Sequence, residues 1–157
     1  SVEKVMAKPP RALGERVVDR PMISTIVVVG VTAALAGLIA LDLELEGGML
    51  GGSGDIETAR TMTFTTIVLA QIFNAFNSRS STVSAFVHPF ANRMLLLAIL
   101  ATILLQVAVV HLPGLSNAFD TEPLDLTQWL TCAALASLVL WAEELHKVVE
   151  RRLAVRR

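Results

Sequence analysis

The sequence predicts an all-α integral membrane protein, an antiparallel bundle of four transmembrane helices. Three observations carry that expectation. Hydrophobic residues make up 54% of the 157 and charged residues 17%, with a mean hydropathy of +0.62; soluble domains run at about 45–50% apolar and 25% charged. The apolar residues are gathered into long runs, close to the roughly 20 residues that cross a bilayer. Basic and acidic residues also fall on opposite sides of those runs, the pattern that sets membrane orientation.

The charge split is sharp. Of the 13 Lys and Arg, all but Arg60 lie in the N-terminal segment, beside the loop at 79–93, or after residue 146. Asp42, Glu44, Glu46, Asp55, Glu57, Asp120, Glu122 and Asp125 lie in the other two loops. Both termini are therefore expected in the cytoplasm, with the helices running up, down, up, down. Net charge is −1, which leaves no polybasic footprint for nucleic acid. The single cysteine, Cys132, permits no disulfide within the chain and no cysteine metal cluster. It reads as a small buried apolar residue.

Residues 1–21 are polar and basic and contain Pro9-Pro10, which opposes a continuous helix. They are expected to form a cytoplasmic loop leading into the membrane. A signal peptide would place its apolar core closer to the start. The chain opens SVEKVM without an initiator methionine, so it is expected to be a piece of something longer.

The membrane domain is expected over 22–146, with spans at 22–43, 61–80, 93–112 and 126–146. Pro21 suits the first turn of the first span. Gly30, Ala33, Ala34 and Gly37 lie on one side of it, and small residues at that spacing let another helix come close. The following loop, ELEGGMLGGSGDIE at 44–57, has five glycines and is expected to be flexible. Its acids lack the ordered spacing of an EF-hand calcium loop.

The second span, TMTFTTIVLAQIFNAFNSRS, is the informative one. On a helical wheel Thr63, Gln71, Asn74 and Ser78 fall within an arc of about 80°. Amides at membrane depth are costly unless something uses them. The face can bind an ion, or it can hydrogen-bond neighbouring helices at about 0.6 kcal/mol per bond. Gln71 and Asn74 are the candidate cation-site residues; Asn77 reads as a structural residue at the boundary.

The third span is apolar apart from Thr102 and Gln106 and is stopped by Pro113-Gly114. His111 at its edge reads as interfacial. Residues 115–124 form an acidic loop. Asp125 with Gln128 three residues on has the form of a capping box, and Trp129 suits the interface. Glu143 and Glu144 are adjacent, point in different directions around a helix, and are expected near the cytoplasmic exit. Residues 147–157 are expected as a basic cytoplasmic tail, either touching anionic headgroups or standing as a simple solvated helix end.

Four motifs carry a resemblance. MAKPPR at 6–11, FNAFNSRS at 73–80, NRMLLL at 92–97, and LDLTQWL at 124–130 followed by EELHKVVERR at 143–152 resemble the seventh to tenth membrane helices of P-type cation-transporting ATPases, closest to the calcium-pump-like branch. The resemblance covers nearly the whole chain. It implies a parent pump that uses ATP and Mg²⁺ to form an aspartyl-phosphate. The Asp-Lys-Thr-Gly run that carries that chemistry is absent here, as is a Gly-rich phosphate loop. The chain alone is expected to be inactive, with no cofactor of its own.

In the two-site calcium pumps a Glu of the eighth helix, three residues before an N-A-x-N-S run, is a calcium ligand. The matching residue is Gln71, before Asn74-Ala75-Phe76-Asn77-Ser78. A Gln carbonyl offers oxygen without charge, so the resemblance implies a weakened divalent site on this helix.

The expected function is a membrane support segment of an ATP-driven cation pump, bracing the ion-carrying helices and contributing one weak ion-site residue, with calcium as the first-choice cargo and manganese, magnesium, sodium and potassium behind it. Its partners are the remaining helices and cytoplasmic domains of the pump, the lipid bilayer and the transported cation. The alternative is a free-standing four-helix membrane protein that binds or regulates a pump. An intramembrane enzyme is disfavoured, since no Ser-His-Asp set or metal-ligand spacing lies inside a span. Arg far outnumbers Lys and Ala and Val are abundant, which points to a high-GC bacterium and its plasma membrane.

Overall fold

A computed structural model describes residues 20–52, 54–78 and 93–155. The Pro9-Pro10 segment, MAKPPR, and the loop carrying Arg79, His88 and Pro89 lie outside these. The described residues form five helices: α1 (Arg20–Glu44), α2 (Ile56–Asn77), α3 (Arg93–His111), α4 (Pro113–Phe119) and α5 (Leu126–Val155). They contain no strand; two isolated bridges, Leu45 with Gly54 and Glu46 with Gly52, are the exception.

Three helices, Met22–Glu44, Arg93–His111 and Leu126–Leu153, are long and apolar enough to cross a membrane. α2 is not among them, and its place in the fold gives the reason. α1, α2 and α5 pack against one another in all three pairs, and α3 lies on α2. A helix covered by three others can carry Thr61, Thr65, Thr66 and Asn77 as buried residues.

Two clusters make the core. Val29 and Ala33 of α1 meet Ala70 of α2 and Ala136 and Val139 of α5, with Leu69 and Phe73 packed against them. Farther along α2, Met62 meets Val110 of α3, Leu124 and Cys132. Cys132 is fully buried, as its apolar surroundings in the sequence suggest, and its thiol donates to the Met62 carbonyl at 3.4 Å.

The small residues of α1 divide. Ala33, Ala36, Gly37 and Ala40 are buried, and a Cβ on Gly37 would meet Ile67 and Thr63 of α2. This is the close approach that small residues allow. Gly30 and Ala34, expected on the same face, are exposed, and nothing lies within 4 Å of a Cβ on Gly30. The buried seam is centred about one turn later than the sequence suggested, because Ala36 and Ala40 complete it.

The glycine-rich loop is tightly folded, not the open linker its composition suggested. Both carboxylate oxygens of Asp42 accept backbone N–H groups, from Met49 at 2.9 Å and Leu50 at 2.8 Å. Gly47 and Gly51 take positive φ of 79° and 81°, where a side chain is strained. A Cβ on Gly48 would collide with the Asp42 carbonyl oxygen. Glycine here serves close backbone approach.

Caps explain the helix ends. Asp55 accepts from the Thr58 N–H at 2.7 Å, so α2 starts at Ile56, ahead of the span expected at 61. Asp125 and Gln128 form the expected reciprocal box: the Gln128 N–H donates to Asp125 at 2.8 Å, and the Asp125 N–H to Gln128 at 3.0 Å. Pro113 does end α3, but it also opens the short α4, as proline at a first helical position can. α5 continues to Val155, so the basic tail is the end of the same helix as far as the described residues reach.

Two outcomes test this fold. Gly48→Ala is expected to destabilise by about 1–3 kcal/mol, read as a lower midpoint of thermal unfolding in detergent; an unchanged midpoint refutes the tight loop. The Thr58 N–H holds the Asp55 carboxyl below its usual value. Its contribution is therefore complete above the ordinary carboxyl value and lost as pH falls through the lowered one. Asp55→Asn, which still caps, should flatten that acid-side loss in melting against pH.

Candidate functional site

The candidate residues Gln71 and Asn74 belong to a helix whose faces are unequally covered. Arg60, Phe64, Ile67, Gln71, Ala75 and Ser78 are exposed; at about 100° per residue they form one stripe along α2. Gln71 sits in its middle. Asn74 is half-buried at its edge. Thr63, on the same edge, donates to the Ala59 carbonyl at 2.9 Å and approaches Gly37 O of α1 at 3.4 Å. The polar arc read from the wheel thus begins at the α1 seam and opens onto the bundle surface at Gln71. Among the described residues no group of three or more His, Cys, Asp or Glu could hold a metal ion.

Beneath that stripe, at the C-terminal end of α2, lies a buried polar assembly. Asn77 is 1% exposed, Glu143 2% and Lys147 7%. The Asn77 side-chain N–H donates to Glu143 Oε2 at 2.6 Å. Lys147 Nζ donates to Asn77 Oδ1 at 2.6 Å and to the Asn77 backbone carbonyl at 3.1 Å. Lys147 also lies 3.5 Å from Glu144 Oε1. One amide thus links a carboxylate and an ammonium four residues apart on α5, using its donor end for one and its acceptor end for the other. The backbone contact matters separately. Asn77 is the last residue of α2, where carbonyls lack helical partners and the dipole favours a cation. Lys147 caps α2 from a different helix.

Sequence reading placed Asn77 at a boundary as a structural residue and Glu143 near a span end. The structure adds what one helix could not show: both side chains are buried in the bundle, Asn77 as the last residue of α2. The available signal was the spacing of Glu143 and Lys147, four apart and hence on one face of α5, together with an amide near the end of α2. Nearby, the Ser24 hydroxyl and His146 Nε2 lie 3.2 Å apart, and His146 lies 3.2 Å from Glu150 Oε1. This end of the bundle therefore also ties α1 to α5.

The opposite end is held by polar contacts of another kind. Gln106, 4% exposed, donates to Thr65 Oγ1 at 3.1 Å. The Thr121 hydroxyl donates to the Val109 carbonyl at 2.7 Å, and the Glu122 N–H to Thr61 Oγ1 at 2.9 Å. His111 stacks on Trp129 with ring centroids 6.0 Å apart, and the indole N–H donates to its Nε2 at 3.0 Å. Arg60 pairs with Asp120 at 3.4 Å, but both are exposed, so the pair contributes little.

Removing one member of a buried charge set leaves the other uncompensated, at about 3–5 kcal/mol. Lys147→Met is therefore expected to lower the thermal midpoint in detergent more than the double variant Glu143→Leu with Lys147→Met. A single variant no worse than the double refutes the assembly as described.

A family model described as Cation transporting ATPase, C-terminus, matches residues 1–149. Among similar proteins, Calcium-transporting ATPase 1 of Yarrowia lipolytica is 33% identical over 91% of this chain and 15% of its own length. Calcium-transporting ATPase 1 of Schizosaccharomyces pombe is 33% identical over 96% of this chain and 16% of its length. Calcium-transporting ATPase type 2C member 1 of Homo sapiens is 34% identical over 94% and 16%. The chain thus spans about one-sixth of the length of these relatives. Its all-helical architecture, apolar helices and family match make it an integral membrane segment, and the chain belongs to the family of cation-transporting ATPase C-terminal regions.

Proposed function

We propose that this chain is the membrane support segment of an ATP-driven calcium pump, bracing the ion-carrying helices and lending them one weak ligand. The observation that carries this reading is the position of Gln71. α2 is covered by α1, α3 and α5, yet it leaves one stripe open, and that stripe holds an amide. An amide facing lipid is unfavourable, whereas one facing a neighbouring helix that carries carboxylates can share a cation. Gln71 would offer a carbonyl oxygen to a hard ion such as calcium, with Asn74 beside it. The bundle braces by being internally locked: Gly37 is closed against α2, and Asn77 is held between charges on α5.

In this reading the chain has four spans, α2 being the covered one, and both termini face the cytoplasm, in keeping with the distribution of Lys and Arg. ATP and Mg²⁺ belong to parts of the pump beyond this chain, whose residues include no Asp-Lys-Thr-Gly run or phosphate loop. Its partners are those parts, the lipid and the transported cation. The arginine-rich composition supports a bacterial plasma membrane; the three relatives named above are fungal and human, and the genomic neighbourhood decides between these hosts.

Two variants in the full-length protein test the reading. Gln71→Glu, which restores a carboxylate, is expected to lower the calcium concentration for half-maximal transport, and Gln71→Leu to raise it. No change in either removes Gln71 from the cation path. Gly30→Leu, at a position open within this chain, is expected to leave the segment folded but to impair assembly or transport. Normal transport in that variant refutes bracing through this face of α1. An open reading frame starting just before Ser1 and encoding this segment alone would favour the free-standing regulator.

A further inference from the structure

We infer that Glu143, Asn77 and Lys147 act as positioning residues for the cation-facing stripe of α2, setting the rotation of that helix so that Gln71 faces out of the bundle. The inference rests on the reading that Gln71 borders the cation path.

A packed helix can turn about its axis where its contacts are smooth and apolar. α2 meets α1 and α5 in the first core cluster through Ala70, with Leu69 and Phe73 beside it, against Val29, Ala33, Ala136 and Val139; apolar contacts are non-directional and specify rotation less sharply than paired polar groups. Asn77 specifies it strongly. Its donor end must meet Glu143 and its acceptor end Lys147, while its carbonyl also takes the Lys147 ammonium. Three bonds from two fixed points on α5 permit a single azimuth. Asn77 and Gln71 are six residues apart, about 9 Å along the axis and 120° around it. When Asn77 faces α5, Gln71 must face the open stripe.

The order of the charges is also explained. An amide can flip to suit a swapped pair, but a backbone carbonyl cannot. Lys147 stands where the last carbonyl of α2 needs a donor, and a carboxylate there would face that carbonyl. Lys147 is therefore distinguishable from a mere charge partner of Glu143.

The test uses full-length protein in lipid vesicles, with calcium as the probe and hydrogen–deuterium exchange as a readout independent of transport. Lys147→Met is expected to speed amide exchange over residues 74–78 while leaving 62–70 unchanged, and to raise the calcium KM about tenfold, the scale on which supporting residues act on metal sites. Lys147→Arg should restore both. The swap Glu143→Lys with Lys147→Glu should restore neither. Unchanged exchange at 74–78 in Lys147→Met, or full rescue by the swap, overturns the positioning role. Faster exchange with an unchanged KM leaves α2 held as described but overturns the placement of Gln71 beside the cation. Loss of kcat alone, with KM and exchange as in the parent, assigns Lys147 no part in positioning.

Discussion

The structure depends on one constraint: the polar groups buried on α2 have to be satisfied by protein, because its packed neighbours close them off from solvent. Each neighbour of α2 answers part of that demand. α3 brings Gln106 to Thr65, the segment before α5 brings the Glu122 N–H to Thr61, and α5 brings Glu143 and Lys147 to Asn77. The apolar contacts between the same helices are mostly small side chains, Ala33, Ala70 and Ala136 among them. They permit close approach, while the polar contacts fix which residues meet.

The two ends of the bundle use different chemistry. At the α1–α2 loop end, neutral groups predominate: hydroxyls, an amide, and an indole bonded to an imidazole. At the other end a carboxylate and an ammonium are buried around one amide. Neutral interhelical bonds contribute little each, so that end tolerates adjustment. A buried charge set is costly to break, so its end resists it. α3 leans on the adjustable end: only Gln106, Val109 and Val110 of it are buried, and from Met94 to Leu105 its large side chains are mostly exposed.

Much of this was legible in the sequence. The all-helical architecture followed from the lengths of apolar runs, and the start of α5 from Asp125 and Gln128. The burial of Cys132 followed from its apolar neighbours. The stop at Pro113 was legible, but α4 was not, because a proline that ends one helix can equally open the next. The glycine loop was misjudged, since composition reports flexibility while Asp42 decides order by accepting two specific N–H groups.

The candidate site shows the division most clearly. Periodicity along one helix is a local property, so the sequence could gather Thr63, Gln71, Asn74 and Ser78 onto one arc. Which part of that arc is covered depends on where α1 lies, and only the tertiary structure decides that: Thr63 is closed against Gly37 and Gln71 is left open. The same holds for Asn77. In the sequence it is an amide at the end of a span, 66 residues from Glu143. Burial and pairing are relations between helices, and no single helix encodes them. The sequence determined that this chain lives in a membrane as helices and that one of them is polar. The packing of α1 and α5 around that helix decided which of its amides holds the bundle together and which one it offers outward.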